Sequence, residues 1–186
     1  MNPVIENIKN RRSVRKYKTE PLIKEHLDAI LEAAAYAPSG HNDQPWHFTV
    51  IRNRALIDLL SSRTKEWMAK QPQDWMSAMG KNPEFHVFYN APAVIAVSYR
   101  KDAVSPQADV CAAIQNMLLA AESLDIGSCW IGLARYVLKT PEGADLAARL
   151  QLPAGYEPDY FVTLGYKAAA HPKPLPRREG VVSYID

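Results

Sequence analysis

Only two cysteines occur in the 186 residues, Cys111 and Cys129. They have no Cys-x-x-Cys spacing, and no signal-like apolar segment follows Met1. That argues against a disulfide framework formed in an oxidising compartment and leaves a cytoplasmic location as the default expectation. The histidines His26, His41, His47, His86 and His171 show no His-Glu-x-x-His or comparable ligand spacing, and no iron-sulfur cysteine set exists, so no metal is expected. A Gly-x-Gly-x-x-Gly fingerprint is missing, which argues against a Rossmann nicotinamide domain. The longest apolar run, residues 110–124, is interrupted by Gln115, Asn116 and Glu122 and is shorter than the roughly 20 residues a bilayer demands. It predicts a core helix and no membrane span. Charge of one sign is also lacking: 22 basic and 20 acidic residues leave a net +2, so the balance gives no case for nucleic acid or an anionic membrane. No internal repeat or low-complexity block is visible.

What is present is 47% hydrophobic residues in a chain of this length, enough for one domain with a sizeable core. The pattern predicts a helix over residues 3–10, with Asn2 as N-cap and Pro3 at the first helical position. A second helix carries Leu27, Ile30, Leu31 and Ala34 and ends before Pro38. Strands are predicted over 48–51, 93–99, 128–131 and 160–166, and helices over 54–70, 109–124 and 140–150, the last opened by Thr140 and Pro141. Residues 109–124 are apolar on nearly every side, which predicts a helix buried all round. A domain this small needs a partner surface for that, so a homodimer is expected. Between 67 and 89, Trp67, Met68, Trp75, Met76, Met79, Phe85, His86, Phe88 and Tyr89 are scattered among Gln, Pro and Gly. That composition suits a mobile cover, a candidate substrate lid, better than a core. The tail with Pro172, Pro174 and Pro176 is expected to be extended.

Two segments carry chemistry. Arg11, Arg12 and Arg15 around Ser13 offer charge-assisted hydrogen bonds to a phosphate dianion; the plainer reading is a solvated cluster at a helix end. In Ala37-Pro38-Ser39-Gly40-His41-Asn42-Asp43-Gln44-Pro45-Trp46-His47-Phe48 the prolines stiffen the backbone and Gly40 admits unusual dihedrals. A rigid wall of that kind suits a planar ligand, although an ordinary helix-to-strand loop has the same composition. Cations for a phosphate and a close uncharged wall for a ring are what flavin mononucleotide, FMN, requires.

Four pieces occur in order: residues 11–15, residues 38–46, Gly127-Ser128-Cys129-Trp130-Ile131-Gly132, and the proline-and-arginine tail of residues 172–178. On these the chain resembles the nitroreductase family of FMN-dependent oxidoreductases over nearly its whole length. The resemblance implies an α+β fold with a central mixed, mainly antiparallel sheet flanked by helices. It implies a homodimer through the helix at 109–124, with two FMN sites at the interface and a tail over 168–186 that reaches the partner subunit. By the same resemblance Arg11 and Ser13 contact phosphate, ribityl or pyrimidine groups, Arg12 lies nearby through its backbone, and Arg15 approaches the N1 and C2-carbonyl edge, where reduction places negative charge. Pro38, Ser39, Gly40 and Asn42 touch the flavin across the interface, while Gln44 and Trp46 are more structural. The backbone of Cys129, Trp130, Ile131 and Gly132 lies against the ring with an N–H toward N5. Cys129 itself reads as a small buried hydrophobe, with no histidine partner to make it a nucleophile.

By the same resemblance Arg177, then Arg178, close on the phosphate, with Lys173 a weaker candidate; the plainer reading of these residues is a solvated basic tail. Arg63, Lys65 and Gln71 are the alternatives for a further polar contact after the first strand. Some relatives carry a carboxylate where Ile131 stands, so substrate orientation does not transfer from them. The implied activity is ping-pong transfer of hydride from NAD(P)H through flavin N5 to an electron-poor acceptor such as a nitroaromatic or quinone, with no dedicated acid or base. The alternatives are enal or enone reduction, dehalogenation, or flavin fragmentation within the family, and flavin binding or storage without turnover outside it. Nucleic-acid binding through residues 11–15 lacks an interleaved aromatic platform.

Overall fold

Asn2 opens the first helix by accepting hydrogen bonds from the backbone of Val4 (2.9 Å) and Ile5 (3.4 Å), and Pro3 fills the position where its missing donor costs nothing. The computed structural model describes residues 2–170 and 173–186; His171 and Pro172, which belong to the expected tail, lie outside the described residues. In chain order the elements are α1 (Pro3–Asn10), α2 (Lys24–Ala35), β1 (Trp46–Ile51), α3 (Arg54–Ala69), α4 (Asp74–Lys81), β2 (Ala93–Arg100), α5 (Pro106–Ser123), β3 (Ile126–Ile131), α6 (Ala134–Leu138), α7 (Ala144–Arg149) and β4 (Tyr156–Tyr166).

The four strands form one sheet in the order β1-β2-β4-β3. Every ladder is antiparallel, with Val50 opposite Ile95, Ala96 opposite Phe161 and Trp130 opposite Val162. The parallel element implied by a mixed sheet is a single isolated bridge between Ser13 and Ser128. Pro158 cannot donate to the ladder, and the register of β2 against β4 shifts at the pair Val97/Ser98 facing it. Because side chains alternate along a strand, β2 feeds two cores. Ile95 and Val97 meet Ile30, Ile114 and Met117 on the face covered by α2 and α5. Val94 and Ala96 meet Leu60, Met68, Phe88 and Leu146 on the face covered by α3, α6 and α7. Burial on both faces explains the unbroken apolar run in β2.

Three expectations are corrected. The helix expected at 109–124 begins at Pro106, and one side of it is open in the single chain: Gln115 is exposed, and Cys111, Ala112, Asn116, Leu119 and Ala120 are half-buried. The helix expected over 140–150 is a short 3-10 turn, Pro141–Gly143, followed by α7, and α6 precedes it. Thr140 does not cap it by a side-chain bond; its hydroxyl donates back to the Val137 carbonyl (2.8 Å). At five residues, α6 is too short to display a helical period. Residues 67–89 are not one cover, since Met68, Val87 and Phe88 are fully buried. Their apolar residues divide between the end of α3, the inner side of α4 and a turn that drives Phe88 against Phe161 (ring centroids 5.5 Å apart).

That turn is tied at several points. His86 Nδ1 accepts from the backbone N–H of Phe88 (3.1 Å) and Asn90 (3.4 Å), so Nε2 carries the hydrogen and donates to Asp58 (3.1 Å). Arg54 pairs with Asp58 (2.9 Å) and donates to the Asn90 side chain (2.6 Å). Tyr89 and Asn90 then sit in the left-handed region, at φ 51° and 56°.

Truncating Phe88 to alanine should lower the unfolding free energy by about 3–5 kcal/mol in denaturant titration; a loss below about 1 kcal/mol would place the ring outside the core. His86 gives a pH dependence. Burial holds its pKa below 6.5, with Asp58 pulling upward but not prevailing. As pH falls through 6.5 the unfolded chain gains a proton that the folded chain resists, so stability is lost between pH 6.5 and the lower folded value. The wild-type melting temperature should therefore fall more steeply from pH 7 to pH 5 than that of His86→Gln. Parallel curves would contradict this.

Candidate functional site

Beyond α1 the chain turns extended, meets the edge strand β3 at Ser128 and then pairs with the end of β4. Val14 N–H donates to the Ser128 carbonyl (2.9 Å), Lys18 N–H to Tyr166 (2.9 Å) and Ala168 N–H to Lys16 (3.1 Å). The approach is close enough that a Cβ on Gly127 would stand 2.8 Å from the Val14 side chain, so glycine is required there. Tyr17 anchors the segment from beneath, donating to the Val14 carbonyl (2.6 Å) and lying 2.7 Å from the Thr163 hydroxyl, which donates to the Cys129 carbonyl (3.3 Å). Burial pushes the Tyr17 phenol well above its ordinary range and Cys129 up as well, the latter against the pull of Arg15. Both are neutral, which fits Cys129 as a buried hydrophobe and not a nucleophile.

This packing brings Arg11, Ser13 and Arg15 to the side of β3 that carries Cys129. Among the described residues neither Arg15 nor Arg11 makes an ion pair; Arg15 Nε donates to the Tyr89 hydroxyl (3.2 Å) and its guanidinium lies 5.6 Å from the centre of that ring. Arg12 is turned back on α1, donating to the carbonyls of Lys9 (2.7 Å) and Arg11 (2.6 Å). Trp130 is half-buried, edge-on to Tyr160 (5.1 Å), Ile131 is buried, and Gly132 has only Tyr160 within 4 Å of where a Cβ would be. A cavity of about 210 Å³ opens at Ser13, Arg15, Lys16 and Ala169. It is smaller than the roughly 300 Å³ at which ligand pockets begin.

The Pro38 tract is as rigid as its composition suggests, for a different reason. Gly40 N–H donates to Asp109 Oδ1 on the first turn of α5 (3.1 Å), Ser39 Oγ accepts from Gln44 N–H (3.0 Å), Gln44 reaches Asn42 Oδ1 (3.0 Å), and Arg100 pairs with Asp43. The left-handed dihedrals assigned to Gly40 fall instead on His41, Asn42 and Gln44 (φ 53°, 57° and 45°). The Asn42 and Gln44 side chains bond to each other in place of relying on glycine's freedom. Pro38 and Ser39 lead through this turn into β1, and Trp46 stacks on Phe48 at its start.

The two halves do not meet in one chain. Ser13 and Val14 meet β3 and the Pro38 tract enters β1, at opposite edges of the sheet, about 14 Å apart at the usual strand spacing. Arg177 and Arg178 are exposed and make no hydrogen bond or ion pair among the described residues; Lys173 is exposed too. Arg63, Lys65 and Gln71 are drawn elsewhere, to Glu142 and Asp145, to the Asn82 carbonyl and to the Trp67 carbonyl. A larger cavity, about 640 Å³, lies between α3 and residues 80–90, but its Arg54, Asp58 and His86 are paired with one another. Among the described residues no cluster of three or more His, Cys, Asp or Glu could hold a metal, and no helix is long and apolar enough to cross a membrane. Sequence reasoning missed three groups at the site. Tyr17 and Tyr89 carry no local signal, whereas Asp109 was detectable as an acid opening an apolar helix.

The arrangement can bind an anion on unpaired guanidiniums and a hydroxyl, beside a strand whose backbone flanks them. Comparison with known proteins agrees in fold and order of elements. A Bacteroides fragilis nitroreductase, whose crystal structure has bound FMN, is 36% identical, matches over 100% of both chains and superposes with a TM-score of 0.91. A Methanothermobacter thermautotrophicus protein, provisionally named an NADH dehydrogenase/NAD(P)H nitroreductase, is 34% identical over 89% of this chain and 78% of its own. The iodotyrosine deiodinase of Thermotoga neapolitana is 26% identical over 99% of this chain and 98% of its own. The nitroreductase family profile matches residues 8–166, and the chain belongs to that family.

Proposed function

We propose that the protein is a homodimeric FMN-dependent oxidoreductase that takes reducing equivalents from NAD(P)H and passes them, in ping-pong fashion, to an electron-poor acceptor such as a nitroaromatic or quinone. The observation that carries this is the pair of cations Arg11 and Arg15, without an ion pair among the described residues and held with Ser13 beside β3. The residues fit the cofactor: Arg11 and Ser13 supply donors for a phosphate or ribityl chain, Arg15 supplies charge, and Cys129 to Gly132 supply an uncharged wall. FMN, when bound, supplies the two-electron chemistry at N5. The chain's part is to orient substrates and, through Arg15, to favour negative charge at the flavin N1 edge as an oxyanion hole does.

A second copy completes the site in this reading, with its Pro38, Ser39, Gly40 and Asn42 forming the far wall and its Arg177 and Arg178 closing over the phosphate. Three features support it. The cavity at Arg15 is too small alone, the side of α5 carrying Ala112 and Gln115 is open, and Val4, Ile5 and Ile8 of α1 and Leu175, Val181, Val182, Tyr184 and Ile185 of the tail are exposed. Half-buried Trp67, Met76, Met79 and Phe85, with exposed Trp75, form the surface where acceptor choice is set. Two free cysteines suit a reducing, cytoplasmic setting.

The purified protein should be yellow, elute as a dimer, and be reduced anaerobically by NADH or NADPH, with reoxidation by quinone. A colourless monomer indifferent to added FMN would overturn the reading, and a flavin that stays oxidised with both nucleotides would leave a binding or storage protein. Arg15→Ala should lose flavin or lower its potential, with turnover falling on the order of 10²-fold. The likeness to iodotyrosine deiodinase over nearly the whole chain favours reductive dehalogenation as the second reading. Faster turnover of an iodophenol than of nitroaromatics and quinones would establish it in place of the first.

A further inference from the structure

We propose that Tyr89 is a positioning residue that aims the Arg15 guanidinium at the flavin while leaving its charge unneutralised. This rests on the placement of FMN beside Arg15 given above. An exposed arginine samples many rotamers, and proteins usually hold one in place with a carboxylate. Here the anchor is a neutral phenol: it accepts the Nε hydrogen at 3.2 Å and presents its ring 5.6 Å from the guanidinium carbon. Among the described residues the remaining nitrogens are nearly free, Nη1 having only a 3.5 Å contact to the Ser13 carbonyl and Nη2 no partner. Fixing Nε therefore fixes the direction in which the open nitrogens point. A carboxylate in the same place would cancel the charge and repel the negative charge that reduction puts on the flavin.

The backbone at Tyr89 is set for this task. Its φ of 51° is a left-handed conformation that a tyrosine adopts only when its surroundings impose it. The surroundings here are the buried Phe88 on one side and Asn90, held by Arg54 and His86, on the other. Phe88 points into the core, so the next side chain is thrown sideways toward Arg15. Phe85 supports the Tyr89 ring edge-on at 6.1 Å.

The test compares Tyr89→Phe, Tyr89→Leu, Arg15→Ala and the double variant Arg15→Ala/Tyr89→Phe as holoproteins, by the Kd of oxidised FMN and the midpoint potential of the bound flavin. Tyr89→Phe keeps the ring and its packing on Phe85, so the fold is retained. It should leave oxidised FMN binding within about threefold and weaken reduced FMN binding about tenfold, a drop of about 30 mV for a two-electron couple. Tyr89→Leu should lower the potential further, and in the Arg15→Ala background Tyr89→Phe should shift nothing, because the anchor has no cation to aim. Wild-type potentials in both Tyr89 variants, alongside a shifted Arg15→Ala, overturn the inference alone. So does an equal Tyr89→Phe shift with and without Arg15. A wild-type potential and FMN affinity in Arg15→Ala overturn the placement of FMN itself, and the role of Tyr89 with it.

Discussion

The candidate site depends on one short run of backbone pairing, in which Ser13 and Val14 meet the edge strand β3 at Ser128 and residues 16–18 pair with residues 166–168 at the end of β4. The Val14 to Ser128 hydrogen bond fixes the register, and Gly127 permits the approach. An open sheet edge is a template for unwanted pairing, and the bridge between Ser13 and Ser128 occupies one point of that edge. The same bridge carries Ser13 and Arg15 to the Cys129 strand. A slip of one residue would turn Arg15 to the opposite face, because side chains alternate along an extended segment. Stability and site geometry therefore rest on the same few bonds.

Around that edge the protein keeps its fixed groups neutral. Tyr17 and Cys129 are held protonated by burial, Thr163 links them, and Tyr89 meets Arg15 without a charge of its own. Near that edge Glu122 and Asp125 pair with Lys167, and three further acids are engaged at a distance. Asp58 serves Arg54 and His86, Asp159 serves Arg135 and Lys139, and Asp43 serves Arg100. The result is a locally cationic cleft in a chain whose overall charge is close to balanced. Local arrangement, and not net charge, makes a place for an anion here.

Asp109 plays the corresponding part at the other edge of the sheet, where its carboxylate takes the Gly40 N–H and fastens the Pro38 turn to α5. Each half is thus pinned to an edge of a rigid sheet, and the sheet's width keeps them apart in one chain. The proposed pairing of two chains joins what a single fold separates. It also accounts for apolar side chains on α1, α5 and the tail that one chain leaves uncovered.

Local sequence was enough wherever a signal was strong and near in the chain. Asn2-Pro3 marked the start of α1 to the residue, the apolar spacing from Leu27 to Ala34 marked α2, and the valine and isoleucine run marked β2 as buried. It failed where the deciding contact was distant. α6 showed no period, and Met68 and Phe88 read as surface because their core partners, such as Phe161, lie far along the chain. The residue types of the site, arginines around a serine and a stiff turn after α2, were legible because their chemistry is intrinsic to them. Which of them point at one another was decided by strand pairing. Arg12 folds back on its helix, Arg15 goes to Tyr89, and Gly40 yields its left-handed dihedrals to His41, Asn42 and Gln44. Side-chain chemistry is fixed by the residue alone, whereas direction and proximity come from hydrogen bonds that the fold makes, many of them between segments far apart in the chain, such as Val14 with Ser128 and Arg15 with Tyr89.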